Sequence, residues 1–86
     1  MYYVYVLESI RDGNWYIGHS EDPERRLEEH NSGRTISTKY RRPFRLIYTL
    51  SFDTRSQARW QERKWKTGSG HKALKNIIES NRSLNI

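Results

Sequence analysis

The chain has 86 residues, a formal net charge of +6, a sequence pI near 9.9 and no cysteine. This length predicts a single domain, and the lack of cysteine excludes a disulfide framework and a thiolate metal site. No apolar run approaches the roughly 20 residues of a membrane span, and Glu8 and Arg11 interrupt the pattern of a signal peptide. We therefore expect a cytoplasmic protein that has no membrane partner.

The N-terminal segment predicts a β-hairpin. Residues 2–7 and 14–19 are rich in Tyr, Val, Ile and Trp, and Gly13 between them can supply the positive φ of a tight turn. Alternation along the first strand places odd-numbered and even-numbered residues on opposite faces. Because Tyr5 and Tyr16 can lie on adjacent antiparallel strands, we expect their two hydroxyl groups to meet on one surface.

A short helix is expected next, over residues 23–30. Asp22 is a favourable N-cap residue, and proline at the following position needs no amide donor in the first turn. Arg26 and His30 are separated by one helical turn, so they lie on one face of this helix. Gly33 suits the left-handed cap that ends it.

Residues 34–42 predict a basic loop with one short helical turn. Because its side chains are mostly hydrogen-bond donors, the loop is interpreted either as a solvated segment or as a contact to phosphate. Pro43 then breaks the chain before a third strand over residues 44–52. Apolar residues alternate along this strand, which predicts one buried face. The residues expected on that face are Phe44, Leu46, Tyr48, Leu50 and Phe52.

Two helices complete the predicted fold. Thr54 and Gln57 fit a capping box for a helix that runs to about Lys66, and a final helix runs toward Glu79. The element order β-β-α-β-α-α predicts an α+β fold, a three-stranded antiparallel sheet flanked by helices. We place the domain at residues 1–80 and a short polar tail at residues 81–86.

Glu62 conflicts with the apolar pattern of the second predicted helix. It recurs with Ala58 and Trp65 at helical spacing, on the face expected to point inward. One interpretation is a structural carboxylate paired with Arg59 or Lys66. The other is a ligand for a hard divalent cation such as Mg²⁺, which prefers oxygen ligands and commonly takes one or two carboxylates plus substrate phosphate.

Several of these residues together resemble the GIY-YIG nuclease superfamily, in particular its small stand-alone, single-domain members. The resemblance covers roughly residues 2–74, and the first motif has Tyr3 where the family name has Gly. It implies the α+β fold that the element order predicts. The residues that carry it are Tyr3-Val4-Tyr5, Tyr16-Ile17-Gly18, Arg26, His30 and Glu62.

This resemblance implies a divalent-metal-dependent DNA endonuclease, structure-specific in repair or recombination, with Mg²⁺ or Mn²⁺ as its cofactor. Tyr5 or Tyr16 would act on the attacking water, with Mg²⁺, Arg26 and other nearby cations lowering the pKa of the phenol. Arg26 would clamp the phosphate, His30 would contact the phosphate or donate a proton, and Glu62 would hold the metal. The alternative is a catalytically inactive nucleic-acid-binding module with the same fold.

The basic charge is segregated along the chain, as expected for a surface that binds phosphate. The expected partner is DNA, in particular branched or damaged DNA. With so short a domain, a nuclease of this kind would read DNA shape, act with a protein partner, or be weakly specific. The residues expected to contact nucleic acid are Lys39, Tyr40, Arg41, Arg42, Arg63 and Lys66.

Overall fold

The computed structural model describes residues 1–84, and within them the chain forms a three-stranded sheet and three α-helices. The sheet is antiparallel with the strand order β2-β1-β3, which confirms the predicted α+β fold. The elements in chain order are β1 (Tyr2–Ser9), β2 (Trp15–Ser20), α1 (Pro23–Asn31), a 3₁₀ turn (Lys39–Arg41), β3 (Phe44–Phe52), α2 (Arg55–Trp65) and α3 (Gly68–Leu84).

Local sequence signals fix the ends of these elements. Gly13 has a φ of 75° in the turn between β1 and β2, a conformation that glycine adopts without steric cost. The Asp22 carboxylate caps α1 by accepting a hydrogen bond from the Arg25 amide at 3.1 Å. Thr54 and Gln57 form both hydrogen bonds of a capping box at the start of α2.

The sheet is covered on both faces, so the fold has three layers. On one face, α2 and α3 close the main core, which contains Val4, Val6, Ile17, Ala58, Trp65, Leu74 and Ile78. The opposite face carries a smaller core of Tyr5, Leu7 and Phe44, against which Leu27 of α1 packs. The face of β1 that carries Tyr5 therefore lies on the α1 side of the sheet.

The single buried face predicted for β3 is wrong, because a β-bulge interrupts the strand. Leu46 pairs with Leu7 and Tyr48 pairs with Val6, which leaves Ile47 as an extra residue opposite the β1 strand. An extra residue reverses the faces on which the following side chains lie. Phe44 and Leu46 consequently pack in the smaller core, while Tyr48, Leu50 and Phe52 border the main core.

Helix α3 continues to Leu84, beyond Glu79, where the sequence analysis ended it. An ion pair between Arg82 and the Glu8 carboxylate, at 3.3 Å, ties this part of the helix to β1. The predicted tail at 81–86 thus overlaps the helix up to Leu84. Residues 85 and 86 lie outside the described residues. The boundary between domain and tail therefore stays a prediction. No helix in the described part of the chain has the length and apolar character needed to cross a membrane.

Candidate active site

Gly18 makes room for Tyr5 at the edge strand β2. The two residues are cross-strand partners on β1 and β2, and Tyr5 is only 1% exposed. Its ring lies over Gly18 so closely that a Cβ atom at this position would overlap the Tyr5 hydroxyl oxygen. Glycine is therefore required here by close approach rather than by backbone conformation, and it lets the Tyr5 hydroxyl reach the edge of the sheet.

We predict that Gly18→Ala displaces the Tyr5 ring and lowers the free energy of unfolding by about 1–3 kcal/mol, the usual cost of overpacking. Urea denaturation measures this change. Gly68→Ala is the matched control, because a Cβ atom there meets no atom within 4 Å. Equal stability of the two variants would show that the Tyr5 ring adjusts freely.

Tyr5, Tyr16 and His30 form one aromatic cluster on the α1 side of the sheet. The ring centroids of Tyr16 and His30 are 4.6 Å apart, and those of Tyr5 and Tyr16 are 6.3 Å apart. The predicted placement of the two tyrosine rings on one surface is thus confirmed, and the meeting of their hydroxyl groups stays a prediction. His30 is fully buried, whereas Tyr16 is half-buried and remains in contact with solvent.

A directional hydrogen-bond chain fixes the tautomer of His30. The Thr38 hydroxyl donates to the Thr35 carbonyl at 3.3 Å, so its oxygen accepts the N–H of His30 Nδ1, 2.8 Å away. His30 Nε2 is then the acceptor, and the Tyr5 hydroxyl lies 3.4 Å from it. The chain points the Tyr5 proton toward His30, so the phenol oxygen keeps its lone pairs for the Arg26 guanidinium, with which it interacts.

The environment keeps Tyr5 and His30 neutral. Burial raises the pKa of Tyr5, and the hydrogen bond and positive charge of Arg26 offset only part of this effect. Burial, followed by the charge of Arg26, lowers the pKa of His30. Arg26 alone therefore does not bring Tyr5 toward phenolate, because desolvation outweighs the guanidinium, and the expected effect of a bound Mg²⁺ ion stays a prediction.

Arg26 presents its guanidinium beside Tyr5 and retains a 32% exposed side chain. Its Nη1 atom donates to the Glu29 carboxylate one turn along α1, at 2.5 Å. An arginine has five N–H donors in a planar fork, so these hydrogen bonds leave donors available to a phosphate.

Glu62 reaches the same edge of the sheet from α2. Its Oε1 atom lies 2.8 Å from His19 Nδ1, and its Oε2 atom lies 3.1 Å from Lys66 Nζ. The Glu62 side chain is 16% exposed, and its negative charge contributes to the raised pKa of Tyr5. The predicted Lys66 partner is thus present, whereas no ion pair joins Glu62 to Arg59 in the described structure.

His19 is a site residue that the sequence analysis missed. It directly follows Gly18 on β2 and pairs with Val4, so it faces α2, whereas Tyr16 and Gly18 face α1. Strand alternation alone could have placed it opposite the inward face of α2. Thr38 was missed as well, because a threonine in a basic loop gives no signal of burial.

The residues predicted to contact nucleic acid serve different purposes. Arg41 is structural: its Nε atom lies 3.0 Å from Asp12 Oδ2, and its guanidinium stacks over the Phe44 ring at 5.4 Å. Lys39 lies over the Tyr40 ring at 5.6 Å, and Tyr40 is 75% exposed. The others remain available at the surface or beside the active site: Arg42 and Arg63 are exposed, and Lys66 pairs with Glu62.

A polar pocket of about 200 Å³ adjoins the His19–Glu62 pair. It lies where β2 meets the beginnings of α1 and α2, whose positive dipole ends favour an anion. Two arginines give it the donors that a phosphate requires. The lining residues are Tyr2, His19, Ser20, Glu21, Arg25 and Arg55.

The donor set around Glu62 fits a hard cation only with help from the substrate. Within residues 1–84, no group of three or more His, Asp or Glu side chains converges as a metal site. A Mg²⁺ ion commonly keeps several waters and uses one or two carboxylates plus substrate phosphates. Glu62, held in place by His19 Nδ1, matches a site of that kind.

Comparison with known proteins finds one family model and a set of related small proteins. The sequence profile of the GIY-YIG catalytic domain matches residues 1–76. UPF0213 protein SSP2268 of Staphylococcus saprophyticus is 42% identical, over 91% of this chain and 95% of its own length. UPF0213 protein BH0048 of Halalkalibacterium halodurans is 44% identical, over 70% of this chain and 65% of its own. The solution NMR structure of UPF0213 protein BH0048 from Bacillus halodurans matches with a TM-score of 0.54 and 36% identity, covering 90% of this chain and 85% of that one.

Proposed function

The chain belongs to the GIY-YIG catalytic domain family, and from that premise we propose that it is a divalent-metal-dependent DNA endonuclease. The observation that best supports this is the convergence of Tyr5, Tyr16, Arg26 and Glu62 at the edge strand β2. The tyrosines come from the sheet, and Arg26 and Glu62 come from helices on its two faces, so the set combines phenol hydroxyls, a phosphate clamp and a carboxylate. Activity in repair or recombination is the finer form of the proposal.

Arg26 binds the scissile phosphate. Glu29 accepts a hydrogen bond from its Nη1 atom and the buried Tyr5 phenol interacts with it, so the guanidinium is restricted before the substrate arrives. A fork of donors held in this way can bind two phosphate oxygens at once and neutralise their charge. Tyr5 is therefore a positioning residue, and His30, which is fully buried, acts through Tyr5 rather than by touching phosphate.

Tyr16 is the tyrosine that contacts the attacking water. It is half-buried next to His30, whereas the Tyr5 hydroxyl is enclosed by Gly18, His30 and Arg26. A general base must reach the proton that it removes, so exposure favours Tyr16 over Tyr5. In the complex with DNA, Tyr16 orients this water or removes its proton.

Glu62 holds the divalent cation, Mg²⁺ or Mn²⁺. Such an ion supplies neutralisation of phosphate charge and stabilisation of the leaving oxyanion. His19 donates from Nδ1 to Oε1 and thereby fixes the direction of the carboxylate, as partners of metal ligands commonly do. Lys66 contacts the other oxygen from a 52% exposed side chain, so it can move to a phosphate when DNA binds.

The proposal is tested by incubating the pure protein with linear, nicked, flapped and four-way DNAs, with Mg²⁺, with Mn²⁺ or with EDTA. We expect cleavage of at least one substrate that requires the metal, and faster cleavage of a branched or nicked one. Binding without cleavage under every metal condition would instead support the inactive binding module. Equal cleavage of all four substrates would remove the structure-specific part of the proposal.

Among the loop residues, Lys39 and Arg42 are predicted to bind phosphate and Arg41 is not. Removing one cation that neutralises a phosphate should reduce the slope of log affinity against log salt by about 0.9 on duplex DNA. Lys39→Ala with Arg42→Ala should therefore flatten the slope by roughly 2 in a salt titration. Lys72→Ala, which removes a single exposed charge on α3, is the control, and a slope unchanged from wild type in the double variant would contradict the assignment.

Arg41→Ala should lower stability instead, because it removes the ion pair with Asp12 and the stacking on Phe44.

A further inference from the structure

Trp60 is a large exposed side chain that the proposed catalysis does not use. It lies on α2 with 59% of its surface exposed, and Lys64 Nζ is 5.2 Å from its ring centroid. The indole forms one wall of an open apolar cleft of about 400 Å³, together with Phe52, Ser56 and Gln57. Trp is common at binding sites because it offers a large contact area at low cost in conformational entropy.

A continuous basic surface connects this indole with the active site. Successive residues of an α-helix are about 100° apart around the axis, so Trp60 lies about 160° from Glu62. Three basic residues lie between Glu62 and Trp60 on the same side of the helix: Lys66 at about 40°, Arg59 at about 60° and Arg63 at about 100° from Glu62. All three are exposed, and Glu62 is the only acidic residue of α2. A chain of phosphates leaving Glu62 would thus meet positive charge up to Trp60.

Trp60 suits a base that is not paired. Base faces inside a duplex are already stacked on each other, whereas an unpaired base is free to stack on an aromatic ring and thereby adds to the affinity. Among the described residues, Arg59 and Arg63 form no ion pair with a carboxylate. A protein partner on this surface would therefore need to be strongly acidic. Charge complementarity therefore favours a polyanion with exposed aromatic faces.

We propose that the exposed face of α2 binds an unpaired nucleic-acid strand, with phosphates on Arg59 and Arg63 and one base stacked on Trp60. That this strand leads to a cleavage position near Glu62 rests on the proposed endonuclease function. Binding of the strand to α2 does not. The preferred substrate class is then DNA in which a single-stranded segment adjoins the cut, such as a flap or a splayed end.

Fluorescence anisotropy with a labelled oligothymidylate at fixed low salt tests the proposal. Trp60→Ala should weaken binding by about 10-fold, within the range expected for one stacked base, and Trp60→Phe should retain most of the affinity. An abasic strand of the same length should bind wild type and Trp60→Ala equally, because it has phosphates but no bases. Ile10→Ala removes another exposed apolar side chain, 63% exposed, and should have no effect.

A measurement on the unaltered protein covers the case in which Trp60→Ala fails to fold. The indole N–H resonance of Trp60, assigned with Trp60→Phe, should shift on titration with the oligothymidylate and stay in place with the abasic strand. An unmoved resonance, or equal affinity of wild type and a folded Trp60→Ala for oligothymidylate, would overturn the proposal. Metal-dependent cleavage of the linear, nicked, flapped and four-way DNAs is the separate readout: its absence on all four in wild type counts against the nuclease assignment, whereas strand binding at Trp60 is decided by the anisotropy and the indole resonance alone.

Discussion

Tyr16→Phe is expected to lower the rate of DNA cleavage by about 10²-fold or more, in line with the contribution of a general base, while DNA affinity holds. The substitution removes only a hydroxyl group from a half-buried ring, so the aromatic packing against His30 remains. Single-turnover cleavage and anisotropy on the same sample measure the two effects.

Tyr5→Phe should also reduce cleavage, but by a different route. Without the phenol oxygen, Arg26 loses the acceptor with which it interacts, so we expect weaker binding of the substrate phosphate together with the slower rate. Tyr48→Phe is the control, because Tyr48 packs against Trp65 in the main core on the other face of the sheet. A larger fall in rate for Tyr5→Phe than for Tyr16→Phe, with unchanged affinity, would reverse the two roles.

Glu62→Gln should abolish metal-dependent cleavage, a loss of at least about 10²-fold, because a neutral amide is a poor ligand for a hard cation. Stability should change by no more than about 1 kcal/mol, since Lys66 is 52% exposed and its pair with Glu62 is largely screened by solvent. The amide oxygen of Gln can still accept the hydrogen bond from His19. DNA binding without metal should persist or tighten, because repulsion between the carboxylate and phosphate is removed.

The measurement combines a melting curve and a cleavage assay on one Glu62→Gln sample, each with and without Mg²⁺. Lys66→Gln is the matched control: it breaks the same ion pair but leaves the carboxylate, so cleavage should be retained in large part. A clear fall in Tm together with wild-type cleavage would contradict the role of Glu62 as a metal ligand. Glu62 would then be a structural carboxylate in an ion pair.

Much of the fold follows from local patterns in the sequence. The hairpin turn at Gly13, the caps at Asp22 and Thr54, and the extent of β3 all depend on neighbouring residues, and the structure contains each of them. The bulge at Ile47 does not follow in this way. Apolar residues continue on both sides of it, so the alternation looks unbroken, and only pairing with β1 decides which face each side chain takes.

The sequence predicts which residues form the candidate site better than it predicts the protonation states of these residues. Motif residues identified the tyrosines, Arg26 and Glu62, but burial of the Tyr5 hydroxyl depends on Gly18 across the sheet and on helix α1 above it. Desolvation is a property of the packed structure, so the direction of the Tyr5 pKa shift could not be inferred from its neighbours in sequence. His19 was missed for a related reason, because its partner is distant in sequence.

The bulge in β3 has an evolutionary consequence. It lets one strand line two separate cores, with Phe44 and Leu46 on the side of Tyr5 and the later apolar residues on the side of α2 and α3. Substitutions far apart and without shared neighbours have nearly additive effects on stability. Apart from Glu62, the layer of α2 and α3, including the basic surface that leads to Trp60, can therefore diversify among descendants of this chain while the packing that encloses the Tyr5 hydroxyl is inherited unchanged.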